Sequence, residues 1–169
     1  TLRIGLASPI VGVQNKSLSS DQLKLVGEKL MEQMELLESK DILLELDCGF
    51  TFCMFGEEGF ETVVKSTKSG LVSSCDFIGD VDHNLDVWPC FPLSRAKYFN
   101  LKKVNKLDDI KEHYRKQFSA LKGLGTMDEC LACKYKTRGQ CSGGCLARTI
   151  DHMARNGDTR LLSKLKMES

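Results

Sequence analysis

The sequence predicts a mixed α/β fold in two parts, a strand–helix unit over residues 1–70 and a cysteine-rich hairpin-plus-helix unit over 71–169. Three observations carry that expectation. Short apolar runs alternate with helical spacing in the first part, two strand-like runs flank a turn in the second, and six of the eight cysteines lie after residue 70. With 169 residues, 41% of them hydrophobic and 28% charged, the chain has enough apolar material for a buried core.

Taken in order, Leu2-Arg3-Ile4-Gly5-Leu6 alternates as a strand does and runs into a loop through Pro9 and Gly12. Ser19-Ser20-Asp21 supplies a helix start, and Leu23, Val26, Leu30, Met34 and Leu37 follow at three- and four-residue steps on one face. Ile42 to Leu46 is a short hydrophobic strand ending at Asp47-Cys48-Gly49, so strand, helix and strand predict a right-handed parallel unit. Gly56 to Lys68 reads as a second helix with Phe60, Val63 and Val64 as its buried side.

Past Gly70 the pattern changes. Asp76 to Val81 and Leu85 to Pro89 are strand-like around the turn residues Asp82-His83-Asn84. A hairpin brings its outer ends together, so Cys75 and Cys90 become neighbours despite fourteen intervening residues. Asn105 to Leu121 is an amphipathic helix with Ile110, Tyr114, Phe118 and Leu121 on one face. Irregular cysteine-rich structure follows to residue 145, then a helical tail interrupted at Asn156-Gly157-Asp158.

Composition excludes several functions. Twenty-four basic against 23 acidic residues leave a formal charge of +1, which supports no chain-wide grip on nucleic acid or an acidic membrane. Apolar runs such as Ile42-Leu43-Leu44 fall far short of the roughly 18 residues of a membrane span. No glycine-rich nucleotide loop occurs. His83, His113 and His152 are dispersed, with His113 expected to face solvent. Asp80, Asp82 and Asp86 lack the calcium-loop pattern. Asp47, at a strand end, either faces a barrel mouth or caps a turn, and capping is the better reading.

Three chemistries account for eight cysteines: disulfides, scattered buried thiols, or metal ligation. Ligation suits the C-terminal group, Cys130-x2-Cys133-x7-Cys141-Ser142-Gly143-Gly144-Cys145. Cys-x2-Cys directs two thiolates at one centre, while Gly139, Gly143 and Gly144 permit positive φ and let backbone N–H groups approach sulfur. Lys134, Lys136 and Arg138 either offset thiolate charge or belong to a solvated loop.

The order from Cys75 to Cys145 resembles the SPASM (and shorter twitch) auxiliary-cluster domain at the C-terminus of radical S-adenosylmethionine enzymes. The α/β segment before it then looks like the last part of that family's partial (β/α) barrel. The resemblance implies one or two [4Fe–4S] clusters, with zinc a substitute after purification in air. It assigns Cys75, Cys90 and Cys145 to one cluster and Cys130, Cys133 and Cys141 to another, each set one ligand short; in shorter relatives the hairpin pair and the Cys-x2-Cys pair share one cluster. Cys48 and Cys53 bring the total to eight, and they are read with equal weight as ligands or as packing or reactive thiols. The chain departs from the family pattern in three places. Leu85 stands where the hairpin glycine is expected, the Cys133–Cys141 spacing is two residues longer, and the further downstream cysteine is missing. A different hairpin turn is the expected answer to Leu85, and His152 or Asp151 the only substitute for the missing ligand after Cys145. Trp88 is expected to pack over the first cluster.

The triad Cys-x3-Cys-x2-Cys that binds the catalytic cluster is absent from this sequence. The chain alone is therefore expected to be inactive, as the C-terminal part of an oxidoreductase whose N-terminal core binds S-adenosylmethionine. The implied role is electron transfer or substrate anchoring during modification of a peptide or protein in the cytoplasm, with no nucleic-acid or membrane partner. The rival reading is a structural zinc module in which Cys130, Cys133, Cys141 and Cys145 hold one ion for partner or nucleic-acid binding.

Overall fold

Ser19 is extended, and its hydroxyl accepts a hydrogen bond from the Gln22 N–H (3.3 Å) while the Gln22 side chain accepts from the Ser19 N–H (2.9 Å). This reciprocal cap starts helix α1 (Ser20–Ser39) where the sequence places it. Leu23 and Met34 are buried, and Val26, Leu30 and Leu37 pack on the same core. Gly27, also on α1, is dictated by contact: a Cβ there would lie 1.9 Å from the Met54 carbonyl oxygen. Only glycine lets α1 rest on the single 3₁₀ turn Phe52–Met54, which carries Cys53.

The computed structural model describes residues 1–67, 71, 74–95, 99–104, 106–122 and 124–157. The boundary expected near residue 70 and the tail beyond residue 157 lie outside them. Strands β1 (Leu2–Ile4) and β2 (Leu44–Leu46) pair in parallel with Leu2 opposite Leu44 and Ile4 opposite Leu46, as the strand–helix–strand order predicts. A further parallel bridge joins Leu44 to Thr67, just past helix α2 (Gly56–Ser66). Val63 of α2 is fully buried, but Val64 is 38% exposed, contrary to expectation. Adjacent helical residues are about 100° apart, so one of two neighbouring valines must turn from the core.

Strands β3 (Asp80–Val81) and β4 (Asp86–Trp88) form the expected hairpin, with Asp80 opposite Trp88. The Ile78 and Gly79 N–H groups both reach the Pro89 carbonyl, carrying the pairing toward Cys75 and Cys90. Strand β5 (Phe99–Asn100), which periodicity does not foretell, adds to the other side of β4. In the turn, the Asp82 carboxylate accepts from the Asn84 and Asp86 N–H groups at 2.9 and 2.8 Å. Leu85 follows at φ +69°, the left-handed conformation that glycine takes freely. That conformation costs about 1–2 kcal/mol for an L side chain.

Helix α3 (Leu107–Lys122) buries Ile110, Tyr114, Phe118 and Leu121 as predicted. The Tyr114 hydroxyl donates to the Val87 carbonyl at 2.6 Å and fastens α3 to β4. His113 is half-buried rather than solvated, edge-on to Phe99 at 4.3 Å. After the short helix α4 (Lys134–Thr137) comes α5 (Leu146–Arg155), which is a central element and not a tail. Leu146, Ala147, Arg148, Thr149, Ile150 and Met153 are all buried.

Two cores result. One gathers α1, β2 and α2; the other gathers β4, α3 and α5. Each borrows from the other half of the chain: Val11 enters the α3–α5 core, and Met127 enters the α1–α2 core. The buried Arg148 guanidinium reinforces the join by donating to the carbonyls of Leu18 (2.8 Å) and Ala7 (2.6 Å).

Candidate metal centre

All eight cysteines are free thiols. They divide into two groups of four. Cys48 stands just past the end of β2, Cys75 and Cys90 at the open end of the hairpin, and Cys145 at the N-cap of α5. These four line one cavity of about 430 Å³. Burial raises the Cys48 thiol pKa, and the charges of Cys145 and Cys75 raise it further. Cys75 is raised by burial, partly offset by the Leu146 N–H. Cys90 is pushed up to about 12, chiefly by burial and then by Cys75, Cys145 and Cys48, against the opposing Leu93 N–H.

The second group is Cys53, Cys130, Cys133 and Cys141. Burial raises Cys53, the Thr51 hydroxyl at 3.1 Å opposes, and the charges of Cys130 and Cys141 add to the rise. Burial also raises Cys141, the Gly143 N–H at 3.4 Å opposes, and Cys130 and Cys133 add. Gly125 crosses against this group at φ +87°; a Cβ there would fall 2.4 Å from the Cys130 Cβ and 2.7 Å from its sulfur. Lys136 donates to the Cys130 carbonyl (3.3 Å) and the Leu124 carbonyl (3.2 Å), so it belongs to the site. Lys134 instead pairs with Glu57.

The loop 141–145 thus contributes one thiol to each group, and its Ser142 hydroxyl accepts from the Cys75 N–H at 2.9 Å. Of the sets implied by resemblance, Cys75, Cys90 and Cys145 line one cavity, and the charges of Cys130 and Cys133 act on Cys141. The two thiols from the α/β part distribute one to each. No local signal in the sequence reveals that distribution, because it depends on how α1 and the Phe52–Met54 turn dock against residues 125–145.

Other expectations are corrected. His152 pairs with Asp128 (3.1 Å) and Asp151 with Arg155 (2.9 Å), and both line a pocket beside Arg148 that includes no cysteine. Cys53 is the thiol on which the charges of Cys130 and Cys141 act. Trp88, although its strand partner Asp80 lines the first cavity, does not itself line it. Phe77, Ile78 and Phe91 line it instead. Asp47 lines it too, held by Arg3 at 2.7 Å across β1 and β2.

Among the described residues, no three His, Cys, Asp or Glu side chains converge closely enough to hold a single metal ion. A water molecule takes about 30 Å³ of liquid, so the 430 Å³ cavity is far larger than one ion needs. A lone zinc requires sulfurs at about 2.3 Å, whereas a multi-iron cluster takes thiolates spaced around it. The donor set of four thiols with backbone N–H groups directed at sulfur fits such a cluster. Among the described residues no helix is long and apolar enough to cross a membrane. Compared with protein families, curated proteins and solved structures, the chain matches none.

Proposed function

We propose that this chain is the auxiliary-cluster part of a radical S-adenosylmethionine oxidoreductase. Cys48, Cys75, Cys90 and Cys145 would hold one [4Fe–4S] cluster, and Cys53, Cys130, Cys133 and Cys141 the other. The observation that carries the reading is the single cavity lined by four free thiols, Cys48, Cys75, Cys90 and Cys145, one of them supplied by the α/β part. Bound clusters supply one-electron transfer or a site for anchoring substrate. The chain's own residues hold the thiolates and direct the Leu146, Leu93 and Gly143 N–H groups at sulfur. On this reading β1, β2 and the bridge at Thr67 are the end of a partial barrel whose remainder carries the S-adenosylmethionine site. The substrate is a peptide or protein, and the compartment is one that keeps thiols reduced, the cytoplasm.

The zinc-module reading needs Cys145 to join Cys130, Cys133 and Cys141, but Cys145 lies with Cys75 and Cys90 on the first cavity. Anaerobic reconstitution with iron and sulfide, followed by iron, sulfide and zinc analysis and an absorption spectrum, tests the proposal. Equal iron and sulfide with a broad charge-transfer band is the expected result, together with iron loss in Cys75→Ser and Cys90→Ser. Stoichiometric zinc that resists iron loading and ignores those two substitutions would overturn it.

A further inference from the structure

The cavity beside Cys48, Cys75, Cys90 and Cys145 is open to solvent, and its wall carries exposed apolar side chains. Ile78 and Phe91, both on its wall, are 64% and 62% exposed. Three carboxylates line it, Asp47, Asp76 and Asp80, while no Lys, Arg or His does. Asp47 is neutralised by Arg3, but no ion pair is found for Asp76 or Asp80 among the described residues. Arg115 and Lys122 line a neighbouring pocket with Asp76 but not this cavity, so its apolar wall and two carboxylates call for an occupant that is apolar and cationic.

The neighbouring backbone says what kind of molecule that is. β3 is the outer strand of the β3–β4–β5 sheet, and no described strand pairs with its far side. Asp80 belongs to β3, and Ile78 lies two residues before it. An extended peptide added to a free strand edge satisfies the unpaired backbone groups and presents alternate side chains to one face. We propose that the outer part of the cavity, beside the four thiols rather than in their place, binds an extended peptide segment, with an apolar side chain against Ile78, Phe77 and Phe91 and a Lys or Arg two residues away facing Asp76 and Asp80. That this peptide is the substrate rests on the cluster reading above; the selectivity rests on the groove alone.

The test is calorimetric titration of the full chain at low salt with acetyl-Ser-Phe-Ser-Lys-Ser-amide and its Glu counterpart. It is run on both the iron-loaded and the iron-free reduced protein, with iron measured in each. Two exposed ion pairs exchanged for two repulsions amount to about tenfold in affinity, so the Lys peptide should bind about tenfold more tightly. Asp76→Asn combined with Asp80→Asn should cut that preference below about twofold, and Phe91→Lys, at an exposed position that folding does not need, should reverse it. Equal affinity for the two peptides, or a preference that survives the double substitution, would overturn the inference. Iron loading without a preference removes the inference and leaves the cluster reading; a preference without iron loading does the reverse.

Discussion

The two thiol groups are built from the same residue type and share a five-residue loop, yet their surroundings are opposite. The Cys48–Cys75–Cys90–Cys145 group lines an open apolar cavity with carboxylates and no lining cation. The Cys53–Cys130–Cys133–Cys141 group is crowded by Gly125 and Met127 and flanked by Lys136. Proximity in sequence is therefore a poor guide to which thiols act together. Cys141 and Cys145 stand four positions apart on opposite sides of the division, whereas Cys48 and Cys145 meet across most of the chain. Burial does not separate them: Cys48 and Cys53 are exposed in their respective groups, and the buried thiol, Cys145, belongs to the open cavity.

The largest effect that could break this division comes from the shared loop. Cys141→Ser and Cys145→Ser should each cost about half of the bound iron, but from different clusters. Their reduced electron paramagnetic resonance spectra should be complementary, and identical residual spectra would erase the distinction between the groups. Gly27→Ala comes next, because its Cβ meets the Met54 backbone at 1.9 Å and the turn holding Cys53 must move. Overpacking of this kind costs about 3 kcal/mol, readable by urea unfolding, and the iron lost should be that of the Cys53 group. Gly125→Ala should act on the same group at about 2 kcal/mol, from its positive φ and the encounter with Cys130. Iron held by the Cys75–Cys90 pair should survive it.

Tyr114 tests the frame rather than the thiols. Burial pushes its hydroxyl up to about 12 from 10.0, so the folded state resists its ionisation while the unfolded chain does not. Stability from this group is whole below pH 10 and is lost as pH rises through about 12. The wild-type chain should therefore lose about 2 kcal/mol more than Tyr114→Phe across that window. Thiol ionisation is common to both proteins, so the difference in their unfolding curves isolates the tyrosine. The smallest effect belongs to Leu85→Gly, which relieves the φ of +69° but loosens the unfolded chain. A net gain of about 0.5 kcal/mol in thermal unfolding is expected, with both clusters unchanged.

Much of this arrangement was legible residue by residue. The three- and four-residue steps of Leu23 to Leu37 and of Ile110 to Leu121 placed α1 and α3, because a helix repeats its buried face often enough to be counted. The Asp82 turn gave the hairpin, and the Cys-x2-Cys spacing gave half of one thiol group. β5 was invisible because two residues carry no period. The helix of residues 146–155 read as a tail because its burial comes from β4 and α3, distant in sequence, which local pattern does not record. Cys48 and Cys53 looked alike in sequence; only the docking of α1 on the Phe52–Met54 turn, made possible by Gly27, sends them to different places. Leu85 was legible as a departure, but its φ was not, since the turn geometry is imposed by Asp82 and by the bond from the Leu101 N–H to the Leu85 carbonyl.

Val11 and Met127 carry a consequence for how the molecule comes apart. Each core holds a side chain delivered by the other half of the sequence, so melting either one withdraws a filling from its neighbour. Two lobes joined only at a surface would absorb heat in two steps as temperature rose through two midpoints. Lobes that exchange their contents share a single midpoint, and the chain should unfold as one calorimetric unit.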